Sequence, residues 1–387
     1  MKNIIAKINR RDALTLTTLV GLFVFFFVML QTGAASNQFK NMIIPMSYYI
    51  LLAVSLNLMV GVLGELSLGH AGFMSVGAYA GCYFSVMLVK NFPDLPLYVY
   101  LPLAMLFGGI VAAAFGVLIG IPALRVNGDY LAIVTLAFCE IIKTVVLDIE
   151  FLGGAIGFDT DLIVPDRNKA LTLLPYAAFA VIVSAVLIMN LVRSKHGRAI
   201  TAVRDNRIAA EACGINVNFY KVAVFGIAAF FAGVAGVLYG HNEVLLKSST
   251  FDFNMSIEIL VMVVLGGMGS NMLGSVIAAV VMTALPEILR DFADYRMLIY
   301  SVMLVVIMLF TSAPALAGIR ERLSLGFIKD WVAEKIALLK EKRKAKKKKK
   351  AKDQEHNHKK RRKKKKNKIY RTKKNKKNKS KKGGSVK

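Results

Sequence analysis

Residues 257–289 read IEILVMVVLGGMGSNMLGSVIAAVVMTALPEIL. A bilayer crossing needs roughly 20 apolar residues, and this run is longer than that, with LGGMGSNMLGS in its middle. Clusters of glycine and serine punctuate a helix rather than extend it. The stretch therefore reads as two helical pieces, either a broken re-entrant pair or two short crossings. Non-helical backbone at membrane depth is tolerated only where protein buries it or where it lines a wet cavity.

Working outward, further apolar windows lie at 13–31, 41–62, 68–90, 97–120, 129–147, 171–192, 219–241 and 296–313. With 56% of the 387 residues hydrophobic, these define an all-α, polytopic transmembrane helical bundle. Lys and Arg mark its cytoplasmic side. They collect at the N-terminus (Lys2, Lys7, Arg10, Arg11), at Arg125, from Arg193 to Lys221 and in the tail. The connection 148–169 carries Asp148, Glu150, Asp159, Asp161 and Asp166 against Arg167 and Lys169, which suits the outer face. An N-terminus inside puts each of these on its expected side through seven spans. Nine single crossings would then leave the tail outside, so dividing 257–289 restores parity and gives about ten membrane segments. The transmembrane domain covers 1–313, and both termini are expected in the cytoplasm. Gly-Ala-Ala-Ser after the first window would suit signal-peptide cleavage, but the length of that window and the many spans behind it favour a retained signal-anchor.

The formal net charge is +27, of which +24 falls in residues 341–387 and only +3 in the rest. A basic charge so confined does not make the body a nucleic-acid binder. The tail has nothing to bury and should be disordered. It would bind anionic lipid by charge alone, and Tyr370, its single aromatic residue, argues against base recognition. In 314–340, Ile328, Trp331, Val332, Ile336 and Leu339 recur at helical spacing among charges, as in an amphipathic interfacial helix. Cys82, Cys139 and Cys213 are scattered and form no metal or disulfide pattern, so all three read as small core residues. No cofactor is indicated. No G-x-x-x-x-G-K-[ST] phosphate loop occurs in the sequence, so nucleotide is not bound here in that way.

One charged, alanine-rich segment interrupts the apolar pattern: GRAITAVRDNRIAAEACGINV, residues 197–217. Ile200, Val203, Ile208 and Ala212 fall near helical spacing, and Gly214 stands where a left-handed C-cap belongs. The residues alone leave two readings, an ordinary helical positive-inside loop or a small-surfaced helix docking into a groove of another protein. Ala209-Ala210, three residues, then Gly214 resembles the Glu-Ala-Ala-x-x-x-Gly coupling motif of ABC importer permeases, with Ile208 where the glutamate would stand. GRAITAVRDNRIAAEACGIN is similar to the form of that loop in permeases for branched-chain amino acids. Three other stretches resemble the same family in the same order. They are NLMVGVLGELSLGHAGFMSVGAY (57–79), RVNGDYLAIVTLAFCEII (125–142) with GGAIGF (153–158), and VVLGGMGSNMLGSVIAAV (263–280), the last with Ser275 where proline is common.

The resemblance implies a permease subunit, of the longer of two paralogous types, in a bacterial-type plasma membrane. It is not itself an enzyme. Its partners would be a second homologous permease, two ATP-binding cassette ATPase subunits and an extracytoplasmic substrate-binding protein. Residues 197–214 would be the coupling helix, with Arg204 and Asp205 making polar contacts and Ala209, Ala210 and Gly214 supplying fit. The substrate would be leucine, isoleucine or valine, with urea or another amide as the alternative within the family. An ion-coupled secondary amino acid transporter and a ribosome-binding insertase or scaffold are the readings from other classes.

Candidates for the translocation path are Glu65, Ser67, His70, Thr135 and Glu140. An ionisable group at membrane depth is costly and faces a cavity or a partner. Glu65 and His70 either do so or sit on an interfacial turn in water, and the sequence leaves both open. Glu140 and Lys143, three apart on one helix, are expected to neutralise each other. Gly61, Gly64, Gly69, Gly72 and Gly77 read as contact points for close helix packing.

Overall fold

The computed structural model describes residues 10–32, 36–123, 126, 128–163, 169–267, 269, 272–288, 301–302 and 305. The interfacial helix expected at 314–340 and the tail at 341–387 lie outside the described residues, as do Arg125, Asp166, Arg167 and nearly all of 296–313.

Eleven α-helices are described. They are α1 (Arg10–Gln31), α2 (Asn37–Asn57), α3 (His70–Asn91), α4 (Leu97–Ala123), α5 (Asp129–Asp148), α6 (Lys169–Arg193), α7 (Lys195–Asp205), α8 (Arg207–Ala212), α9 (Val217–Asn242), α10 (Phe253–Gly266) and α11 (Met272–Ile288). Seven of these have the length and hydropathy to cross a membrane, and α10 and α11 are shorter apolar helices. All seven long helices fall on windows read from the sequence. The division expected within 257–289 appears as α10 and α11, with Gly267 and Gly269 between them. At 1.5 Å per residue α10 rises about 21 Å, short of a ~30 Å hydrocarbon core.

Local chemistry sets the helix starts. Ser36, Ser194, Asn206, Asn216 and Asp252 each accept a backbone N–H from three residues ahead. Where α2 ends, the chain widens into a π-helical turn, Leu58–Leu63, every residue of which is buried. Gly64 then adopts φ +81° and opens an irregular segment, 64–69, before α3 begins.

The core is built around α9, which packs on α4, α3 and α2. Its crossing with α3 and α4 is made by Gly77, Gly108 and Gly233. A methyl group on Gly77 would run into the Gly233 backbone, one on Gly233 would lie 2.8 Å from the Gly108 carbonyl, and one on Gly108 would lie 2.7 Å from the Gly77 carbonyl. Bilayer helices have no hydrophobic drive to associate, so such backbone contact supplies the cohesion. Helix α2 is almost wholly enclosed, whereas α1 is peripheral and is tied to α6 by an ion pair between Asp12 and Arg193. Cys82 and Cys139 are buried as expected, but Cys213 is exposed because it closes a helix on the bundle's rim.

Where α5 and α9 end, a two-residue antiparallel ribbon joins their following loops, Phe158 opposite Leu246 and Asp159 opposite Leu245. Thr160 reinforces it by donating to the Glu243 carbonyl at 2.6 Å. This end carries the acidic connection, and α7 and α8 lie at the opposite end, between α6 and α9.

Candidate coupling helices and a buried polar junction

The segment read as one helix over 197–214 is two. Helix α7 turns tightly off α6, with the Ser194 hydroxyl accepting from Gly197 N at 3.2 Å, and buries Gly197, Ile200 and Val203. Asn206 takes an extended conformation (φ −157°, ψ 104°), and its Oδ1 accepts from Ala209 N at 3.0 Å. An asparagine side chain offers the backbone an alternative to continuing a helix, so it ends α7 and starts α8. Helix α8 closes as a Schellman motif, with Ile215 N donating to the Ala210 carbonyl and Gly214 N to Glu211. Gly214 has the expected left-handed φ of +81°.

Only Ala210 of α8 is buried. Ile208 is 80% exposed, and Ala209, Glu211, Cys213 and Gly214 are exposed with it. Beside them lies a shallow polar recess of about 320 Å³ bordered by Glu211, Gly214, Asn216 and Asn218. Asp205 points outward. Arg204 instead reaches inward, with one guanidinium nitrogen donating to the Gly61 carbonyl at 2.8 Å while the others hold the Asp205 carboxylate at 3.0 and 3.1 Å.

Beneath α7, several polar side chains converge on the irregular segment 64–69. Thr135 Oγ1 accepts from Leu68 N at 3.0 Å, Ser67 Oγ accepts from Gly69 N at 3.4 Å, and Ser256 Oγ accepts from Ala71 N at 3.3 Å. His70, fully buried, shares a 2.8 Å hydrogen bond between Nε2 and the Ser55 hydroxyl, and its Nδ1 has no hydrogen-bond partner among the described residues. Helices α3 and α9 run parallel, with Gly77 on Gly233 and Gly81 on Val237. That register sets His70 about 14 Å further along the bundle than Val217, the first residue of α9. Helix α3 thus begins deep in the bundle, and its first turn is bonded within the junction, Ala71 N to the Ser256 hydroxyl and Gly72 N and Phe73 N to the Gly69 carbonyl.

Ser67, His70 and Thr135 are brought together there, and Glu65 lies at the edge, where it forms an ion pair with Lys221. His70 is fully buried, whereas Glu65 is partly buried. Glu140 stands apart, five residues beyond Thr135 on α5, and pairs with Lys143 at 3.1 Å. Ser55, Asn57, Ser256 and Lys221 were not legible as site residues. They come from three separate segments of the chain, and only tertiary packing unites them. A separate groove of about 490 Å³ between α3, α4 and α5 is walled by apolar and aromatic residues such as Phe107, Val111, Phe138 and Ile142. It offers no charged partner to a zwitterion.

A multi-pass bundle with a broken helix pair, an interior polar junction and small-surfaced helices at one rim is that of a membrane permease. The family described as "Branched-chain amino acid transport system / permease component" matches residues 38–311, and the chain belongs to it. The high-affinity branched-chain amino acid transport system permease protein LivM of Escherichia coli K12 is 33% identical over 81% of this chain and 77% of its own. BraD of Pseudomonas aeruginosa, described likewise as such a permease protein, is 26% identical over 71% of this chain and 93% of its own. The ribose import permease protein RbsC of Haemophilus influenzae is 24% identical over 70% and 83%. No solved structure matches the chain. As the relatives are permease subunits of ABC transporters, the chain is a transport component and not an enzyme.

Proposed function

We propose that the chain forms the translocation path for leucine, isoleucine and valine in an ABC importer and receives the work of ATP hydrolysis through α7 and α8. The observation that carries this reading is Ile208, an apolar side chain 80% exposed on a helix whose surface also carries Ala209, Ala212 and the Arg207–Glu211 ion pair. It stands where the coupling motif of other ABC permeases has a glutamate. An exposed isoleucine on a small-surfaced helix suits insertion into an apolar groove of a partner. Ala209 and Gly214 let the partner approach closely, and Asp205, held outward by Arg204, lies at the rim.

The partners are two ATPase subunits, a second homologous permease and an extracytoplasmic binding protein. By the positive-inside rule, α7, α8 and both termini face the cytoplasm, and about ten segments cross or enter the membrane. For the path we favour Ser67, His70 and Thr135, which the fold brings to one buried junction. Glu65 and Glu140, each already paired with a lysine, are left out of it. The tail at 341–387 would add adhesion to anionic lipid.

The test is copurification of the ATPase from mild detergent with wild type, Gly214→Ala and Gly214→Arg. A Cβ on Gly214 meets nothing within 4 Å. Both variants therefore bear only the left-handed backbone cost, about 1–2 kcal/mol, and the arginine adds bulk on the outer surface. Loss of the ATPase from the arginine variant with retention in the alanine one supports docking here. Equal retention in both would place the ATPase elsewhere.

A further inference from the structure

The outward face of α7 and α8 accounts for docking, but not for how a displacement there would reach the interior. Arg204 crosses from α7 to the π-helical turn and hydrogen-bonds the Gly61 carbonyl, and a Cβ on Gly64 would meet its side-chain methylenes. On the other side of the same turn lies the break between α10 and α11. Asn57 Nδ2 donates to the Gly269 carbonyl at 3.1 Å, and a Cβ on Gly61 would stand 2.8 Å from both the N and the O of Gly269. The π turn is thus held between the coupling helix and the helix break.

Its downstream end is fixed differently. Glu65 and Lys221 form an ion pair with side chains only 14% and 5% exposed, joining the irregular segment to the second turn of α9. Two charges withdrawn from water in this way contribute little net stability, because desolvation offsets most of their attraction. A directional bond that sets register is the better-attested use of such a pair. It is needed here because 64–69 has no helical hydrogen bonds of its own to hold it against α9. A π turn carries one residue more than an α turn and is found as a single-turn insertion at functional sites. An element that differs from an α turn by one residue, held between two clamps, suits a switch biased from one end.

We propose that Glu65 and Lys221 are positioning residues for transport. Together with the Arg204 bond to Gly61, they clamp the π turn Leu58–Leu63 so that movement of α7 is delivered to the break at Gly267–Gly269 and to the start of α3. This rests on α7 and α8 being the coupling helices. The clamp acts on neither substrate nor nucleotide. Its loss should uncouple the two activities rather than abolish either.

The experiment uses the assembled importer in liposomes, with leucine as the transported probe and the ratio of leucine taken up to ATP hydrolysed as readout. Glu65→Gln combined with Lys221→Met removes both charges at once and leaves neither buried alone. We expect this double variant to copurify with its ATPase and to show a ratio lowered at least fivefold. A wild-type ratio in the assembled double variant overturns the proposal, since a merely structural pair would be replaced without consequence. If the double variant does not assemble, Glu65→Asp decides, because it keeps the charge but shortens its reach. A lowered ratio with normal assembly supports the clamp, and an unchanged ratio overturns it. Failure of the underlying reading looks different, as the wild-type permease would then come down without an ATPase.

Discussion

The Thr135 hydroxyl is among the side-chain groups that hold the irregular segment 64–69 in place. It accepts the Leu68 N–H in a region with no helical bonding and returns its own proton to the Ala132 carbonyl at 3.0 Å. Valine has nearly the same shape but cannot accept. Thr135→Val therefore strands a buried donor, at about 1–3 kcal/mol. We expect a lower melting temperature for the detergent-solubilised permease and reduced uptake. An unchanged Tm would mean the Leu68 amide finds another acceptor. Glu140 gives the opposite expectation. Its carboxylate is already paired with Lys143 on the same helix, so it has no free charge to offer a substrate. Glu140→Gln should insert normally and transport leucine at close to the wild-type rate, and a large loss would return Glu140 to the path. The two residues lie only five apart on one helix, so the sequence ranked them alike. What separates them is which neighbouring helix each face meets, and that is not written in α5.

At the scale of elements, the long helices were legible because membrane burial writes an unmistakable apolar signal. Even the break within 257–289 could be read, from glycines and the parity of crossings. The π turn could not, since LMVGVL is as apolar as the helix it continues and only its hydrogen-bond register differs. The division of α7 from α8 was also missed, although Asn206 was the available signal. Its side chain caps α8 and breaks what alanine-rich flanks would otherwise make continuous. Asn206→Ala removes that cap at a cost of about 1 kcal/mol and lets the two helices fuse. Fusion would swing Ile208 away from its present direction, so we expect ATPase copurification to fall severalfold while the permease itself stays monodisperse. Retention at the wild-type level would show that the angle between α7 and α8 does not matter for docking.

For the molecule as a whole, charge asymmetry decides orientation. Arg193, Lys195, Arg198, Arg204 and Arg207 stand at one end, while Asp148, Glu150, Asp159 and Asp161 stand at the other. Because Lys and Arg in short loops are retained on the cytoplasmic side, the first end should face the cytoplasm. The chain carries its own probe for this. Cys213 is exposed at the tip of α8, whereas Cys82 and Cys139 are buried inside the bundle and should not react. A membrane-impermeant maleimide should therefore leave the permease unlabelled in intact cells and label it in inverted vesicles, at Cys213 alone, as Cys213→Ser would show. Labelling in intact cells would reverse the orientation and remove α7 and α8 from any contact with a cytoplasmic ATPase. The same thiol also reports docking, since it neighbours Gly214 on the face assigned to the partner. In inverted vesicles from cells that also make the ATPase, the rate of Cys213 labelling should fall at least severalfold, and stripping the ATPase should restore it. A rate unaffected by the ATPase would leave the orientation standing and move the docking surface away from α8.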